Sequence, residues 1–251
     1  MANSRSGDSV LDRLVRVLGA FDGTKDSLSI AALARRADVP LATAYRLVAD
    51  MVRHGLLSRD ANGQVRPGLR LWELANRSSP AVDLRQAAIP FMDDVQSVVR
   101  QHTQLAILRD DEVLVIERLS SRGSVVNQAQ IAGRMPVHRT SLGMVLLAFS
   151  PNHVQESYLN RHPDAVASAD PVSFDFRRHL AQIRLRGYAA FDGRVDADTT
   201  GIAVPVLGPH GNAQAALGVV VPLGFESFQS VVPALMTAAR GIARTMGSQP
   251  A

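Results

Sequence analysis

Arg46 and Arg53 lie seven residues, or two helical turns, apart in "LATAYRLVADMVR", so both guanidinium groups share one side of any helix formed there. At about 100° per residue, Ala44, Leu47, Val48 and Met51 make the opposite, apolar stripe, with Val52 at its margin. Ala42, Ala49 and Asp50 join the arginine side, and Thr43 and Tyr45 sit at its edges. That face is cationic and short. Guanidinium forks donate to phosphates and guanine edges, a threonine donates to phosphate or meets a thymine methyl, and a tyrosine reaches sugar or phosphate. Ala42 and Ala49 leave room for close approach, while Arg36 upstream and Arg66 downstream are placed to touch the flanking backbone. The chemistry is recognition of duplex DNA; a protein-docking face is the bland alternative.

Catalytic patterns are missing. The seven histidines, at 54, 102, 138, 153, 162, 179 and 210, form no His-Glu-x-x-His pair; there is no Gly-rich phosphate loop, no Gly-x-Ser-x-Gly elbow and no cysteine. Asp192, Asp196 and Asp198 alternate beside Gly193, which reads as solvated turn chemistry. His138 reads first as a loop residue satisfied by backbone and second as a ligand contact. No metal, no cofactor and no enzyme activity are expected.

The elements that must hold the arginine face can be read from the same pattern. Ser9 caps a first helix with Val10, Leu14, Val17, Leu18 and Phe21 on one side, and Ser29 caps a second with Ile30, Leu33, Ala34 and Ala37. "DVP" ends the second, because Pro40 restricts Val39 and cannot continue a helix. The third helix carries the arginines. "GLLSRDANGQVRPG" then reads as a hairpin turning at Asn62-Gly63, with Arg59 and Arg66 near its tip. Three helices and a hairpin make a winged helix-turn-helix, expected over residues 1–68.

Residues 69–84 read as a linker helix. Leu69, Leu71, Trp72, Leu74 and Ala75 are too apolar for a free connector, and the expected partner is a second copy of the chain. Residues 85–251 read as an α+β domain. A hairpin turns at Asp110-Asp111, "SVVNQAQIAG" is expected as a third strand, and "SLGMVLLAF" as a buried helix. "GYAAF" and a second hairpin turning at His210 to Asn212 follow, and a helix over Ser227–Thr245 closes the chain.

Charge divides along the same line. Residues 1–70 hold eleven Lys or Arg against seven Asp or Glu, whereas residues 71–251 hold sixteen of each. All of the net charge of +4 is at the front, as expected of a polyanion-binding module joined to a neutral one. No apolar run is long enough to span a membrane and the first residues carry no signal-peptide core, so the expected location is the cytoplasm, with no membrane partner.

Two colinear sets of residues resemble the IclR family of bacterial transcription regulators. In front these are "LARRADVPLATAYRLV", "HGLL" and "NGQVRPGLRLWEL"; behind, "GRMPVHRTSLGMVLLAF", "RGYAAFDGRV" and "GIAVPVLGPHGNAQAALGVVVP". The likeness covers about residues 9–247. It implies a winged helix on a palindromic operator, a connecting helix and a GAF-like effector domain, assembled as a homodimer or dimer of dimers; a repressor is the expected sign, with activation as the alternative. It also implies a pocket between the sheet and the helix after "PVH". There a small effector carboxylate meets the backbone amides of Ser141 and Leu142, with Met135, His138, Phe191, Asp192, Gly201, Gly218 and Val220 around it.

Four of those positions depart from the family pattern. Phe191 stands where an acid is common and Gly201 where a cysteine is, and Gly218 and Val220 replace serines. Small, wholly polar acids would be left short of partners against Phe191 and Val220, at roughly 1–3 kcal/mol for each unmet bond. The expected effector is larger and partly apolar, such as an aromatic carboxylate, filling space freed by Gly201 and Gly218. A pocket merely filled in, leaving a ligand-independent DNA binder, is the alternative, with an enzyme carrying a DNA-docking domain behind it. Leu41 and Ala42 replace polar residues at the start of the recognition helix, which shifts the contacts to Thr43, Tyr45 and Arg46, or to DNA shape.

Overall fold

The computed structural model describes residues 8–21, 25–77, 79–163, 176–225 and 228–247. Contacts divide the chain into two units, Met1–Val82 and Asp83–Ala251. No helix among the described residues is long and apolar enough to cross a membrane.

The first unit contains α1 (Val10–Gly19), α2 (Ile30–Arg36), α3 (Leu41–Arg53), β1 (Leu57–Arg59), β2 (Val65–Pro67) and α4 (Leu69–Arg77). Ser9 closes a capping box on α1: its hydroxyl accepts the Asp12 amide, and the Asp12 carboxylate accepts the Ser9 amide. Ser29 caps α2 through the Ala32 amide. Between α2 and α3, Asp38 takes a left-handed φ of 50°, and Val39 donates back to the Ala34 carbonyl, which sets the turn. Val17, Leu33, Ala44 and Val48 are fully buried, so the apolar stripe of α3 is the one its spacing dictates.

The wing is the expected hairpin with one addition. Asp60 accepts the amides of Asn62 and Gln64, and Gly63 supplies a φ of 71°. Leu28, between α1 and α2, exchanges both backbone hydrogen bonds with Val65, adding a one-residue third strand. A lone Leu before a helix cap gives no periodic signal for such a bridge.

In chain order there follow α5 (Pro80–Val99), β3 (His102–Arg109), β4 (Glu112–Ser120), β5 (Arg134–Pro136), a 3-10 turn (Val137–Arg139), α6 (Ser141–Ala148) and α7 (Asn152–Arg161). Then come α8 (Phe176–Arg186), β6 (Ala189–Asp192), β7 (Thr199–Leu207), β8 (Ala213–Pro222) and α9 (Phe228–Gly247). The strands form one antiparallel sheet in the order β5-β4-β3-β8-β7-β6. Asp110 and Asp111 both adopt positive φ, as a two-residue turn between right-twisted strands requires. All eight residues of α6 are buried, and the helix packs on β7, β8 and α8. Its cluster includes Ala106, Ala203 and Ala216 from the sheet. Small residues there let a helix without a polar face lie close.

The third strand expected over "SVVNQAQIAG" does not form. Residues 121–133 are irregular, and the edge strand is the short β5 that follows. Side chains take the backbone groups that a ladder would use. The Val125 amide donates to Gln101, the Ala129 amide to Asn127, and the Ala129 carbonyl accepts from Arg118. The closing helix runs two residues further than expected, to Gly247, and Ser227 lies outside the described residues.

Candidate nucleic-acid interface and ligand cavity

The arginine face of α3 is open. Arg46, Tyr45, Ala42, Ala49 and Arg53 are exposed and Thr43 is half-buried, while Ala44, Leu47, Val48 and Met51 point inward. Arg46 makes no hydrogen bond or ion pair among the described residues, and Arg53 pairs with exposed Asp50 at 2.8 Å, which costs little to release. Pro40 opens α3 without a side-chain cap, so the amides of its first turn remain available to an anion. On the wing, Arg66 is exposed and donates across the hairpin to Ser58 Oγ at 3.3 Å.

Arg36 plays a second part. Its Nη1 donates to the Ala20 carbonyl at the end of α1 at 3.0 Å, tying α2 to α1.

The cavity of the second unit starts from sheet register. Phe191, Gly201, Val220 and His102 stand side by side across β6, β7, β8 and β3, and Ala189, Ala203, Gly218 and Gln104 form the next row. α6 begins above these rows. Thr140 caps it by accepting the Gly143 amide, which leaves the Ser141 and Leu142 amides to face outward from the helix start. Between them lies a cavity lined by six of the expected residues: Met135, Ser141, Leu142, Phe191, Gly201 and Val220.

Three expected residues do not line it. His138 turns toward α7, with Nδ1 3.1 Å from the Tyr158 hydroxyl. Burial, then the charges of Arg139, His162 and Arg194, holds its pKa below the ordinary imidazole value. Asp192 is exposed and accepts the Thr200 hydroxyl at 2.6 Å. Gly218 frees no space: a Cβ there would meet the Ile202 carbonyl at 2.7 Å and Leu142 at 3.0 Å, so the glycine permits close packing of α6 on the sheet. A Cβ on Gly201 would stand 3.0 Å from Ser141 Oγ, so only there does the missing side chain widen the cavity.

Sequence reasoning missed the mouth. Arg139 and Arg194 line the cavity, and each anchors the other's loop: Arg139 donates to the Arg194 carbonyl and Arg194 to the His138 carbonyl. Gln128, from the irregular segment, donates to the Val195 carbonyl and joins the two rims. Gln104 and Asn127 also face in. A glutamine at the head of the apolar run "LAIL" was the available signal.

A model described as "Bacterial transcriptional regulator IclR C-terminal" matches residues 78–244, and the IclR helix-turn-helix domain matches residues 10–61. This chain belongs to the IclR family. Among solved structures, an IclR homolog complexed with 4-hydroxybenzoate from Microbacterium hydrocarbonoxydans is 42% identical, with a TM-score of 0.88 over 96% of this chain and 100% of that one. The Pca regulon regulatory protein of Pseudomonas putida is 26% identical over 241 residues, 92% of this chain and 82% of that protein. The HTH-type transcriptional regulator XynR of Escherichia coli is 27% identical over 214 residues, 82% of this chain and 83% of that protein. As an IclR-family member the protein is a transcription regulator, with a helix-turn-helix DNA-binding domain and a C-terminal ligand-binding domain, and not an enzyme.

Proposed function

We propose that this IclR-family regulator binds a palindromic operator as a homodimer, represses there, and loosens its grip when a benzoate-class aromatic carboxylate enters the cavity beside α6. In this reading residues 1–68 contact DNA, residues 69–84 join the two copies and residues 85–251 hold the effector.

The cavity carries the proposal. Open amides of Ser141 and Leu142 suit a carboxylate, and the helix dipole adds to them. Phe191, Leu142 and Val220 offer apolar walls for a ring, and Arg139 and Arg194 at the rim favour an anion over a neutral ligand. The 4-hydroxybenzoate bound to the 42% identical homolog supports the same class. The homodimer rests on α4, which buries none of its residues and leaves Leu69, Trp72 and Leu74 71%, 63% and 53% exposed.

Coupling needs only differential affinity. A hundredfold change in operator binding requires about 2.7 kcal/mol of preference for one arrangement of the dimer. Gel shifts on the DNA upstream of the protein's own gene, with and without 4-hydroxybenzoate, test the reading, and a reporter on that promoter gives the sign. The complex should weaken with the acid. A complex indifferent to every aromatic acid that the protein binds contradicts it.

A further inference from the structure

Two polar atoms in the second unit lack what burial demands. Among the described residues, Gln104 Nε2 and Asn127 Nδ2 are shielded from solvent and have no hydrogen-bond partner, and both residues line the cavity beside α6. Gln104 is 3% exposed. Leaving a buried amide donor unmet costs about 1–3 kcal/mol, so a pair of them at one cavity needs a reason. The amide of Asn127 is oriented: its Oδ1 accepts the Ala129 amide at 3.0 Å, which leaves the nitrogen as the free end. These are donors without an acceptor.

Their position fixes what could supply one. Ser141 Oγ sits against Gly201 on β7, whereas Gln104 stands on β3 beside Gly218, with β8 between the two strands. Two strand spacings and the two-residue step between the Gly201 and Gln104 rows separate the poles by about 12 Å. That is the reach of a para-disubstituted ring with a hydrogen bond at each end. A ring held by its carboxylate at α6 therefore presents its far substituent to Gln104 and Asn127.

We propose that Gln104 and Asn127 are specificity-determining residues of the cavity, donating to an oxygen that the aromatic acid carries across the ring from its carboxylate. The assignment rests on the reading of the cavity as an aromatic-carboxylate site. Rejection of the unsubstituted ring follows, because benzoate leaves both donors buried and unmet.

Titration calorimetry on the full chain with benzoate and 4-hydroxybenzoate tests it. The wild type should bind the hydroxylated acid at least tenfold more tightly. Gln104→Leu removes one donor, and Asn127→Ser keeps an oxygen able to accept the Ala129 amide while withdrawing the amide donor from the cavity. In each variant the preference should fall about tenfold, with benzoate bound at least as tightly as by the wild type, which also reports an intact cavity. Equal binding of both acids by the wild type, or variants that keep the preference, overturns the assignment and leaves the aromatic-carboxylate reading standing. Loss of both acids together in both variants makes the residues structural and overturns it too. A wild type that binds neither acid removes the reading and the assignment at once.

Discussion

The guanidinium carbon of Arg194 lies 3.9 Å from the centroid of the Phe191 ring. A planar cation on an aromatic face holds the Arg194 loop against β6, and its bond to the His138 carbonyl ties the same side chain to the loop that precedes α6. Phe191 thus gives the cavity an aromatic wall with an arginine laid over it.

Arg194→Ala is therefore expected to weaken aromatic-acid binding by roughly tenfold, since the rim loses a cation and its anchor together. Arg194→Lys should recover only part of this, because an ammonium keeps the charge but not the stacked plane. Calorimetric titration with 4-hydroxybenzoate reads both, and full recovery by lysine would reduce the contact to charge alone.

Gly201 and Gly218 should separate cleanly. Gly218→Ala drives a Cβ toward the Ile202 carbonyl, which belongs to a paired strand and cannot move aside, so a loss of about 1–3 kcal/mol is expected in urea unfolding. At Gly201 the neighbour is the Ser141 hydroxyl, a side chain able to rotate, so Gly201→Ala should cost less stability and more ligand affinity.

On the DNA side, Arg46→Ala should lower operator affinity by an order of magnitude or more, with an unchanged melting temperature, because Arg46 is exposed and has no partner among the described residues. Arg36→Ala should instead destabilise the first unit by about 1 kcal/mol through loss of its bond to Ala20. Thermal unfolding beside fluorescence anisotropy separates the two kinds of effect.

Trp72→Glu places a charge on the uncovered face of α4. Sedimentation should show a dimer for the wild type and monomers for the variant, and operator affinity should fall with the loss of the dimer. A dimer unaffected by this charge would locate the contact elsewhere.

Acid should destabilise the second unit in a defined window. Burial, aided by neighbouring arginines, depresses the pKa of both His138 and His179 below the ordinary value near 6.5. Below that value the unfolded chain takes up protons that the folded one resists, so stability is complete above it and is lost as pH falls toward the depressed values. His138→Gln and His179→Gln should each flatten the decline in melting temperature between about pH 7.5 and 5.5, where imidazoles titrate. An unchanged slope in the double variant would place the sensitivity in other groups.

Much of this architecture was legible because it rests on short-range rules. Ser9, Ser29 and Pro40 mark helix boundaries, and the stripe from Ala44 to Met51 sets which face of α3 is buried. The Asp110-Asp111 and Asn62-Gly63 turns fix two hairpins. What escaped depends on partners distant in sequence. The segment around Asn127 has the composition of a strand, yet Gln101 and Arg118 claim its backbone groups. Gly218 looks like vacated space until the Ile202 carbonyl is seen beside it, and Gln104 becomes a cavity residue only through its register with Gly218.

The most direct measurement is anisotropy of a labelled duplex from upstream of the protein's own gene, followed through a salt series with and without 4-hydroxybenzoate. Binding should weaken steeply with salt, and the acid should move the midpoint about tenfold or more at every salt concentration. Binding to no duplex, or the same curve with the acid bound as without it, would contradict a DNA grip governed by this cavity.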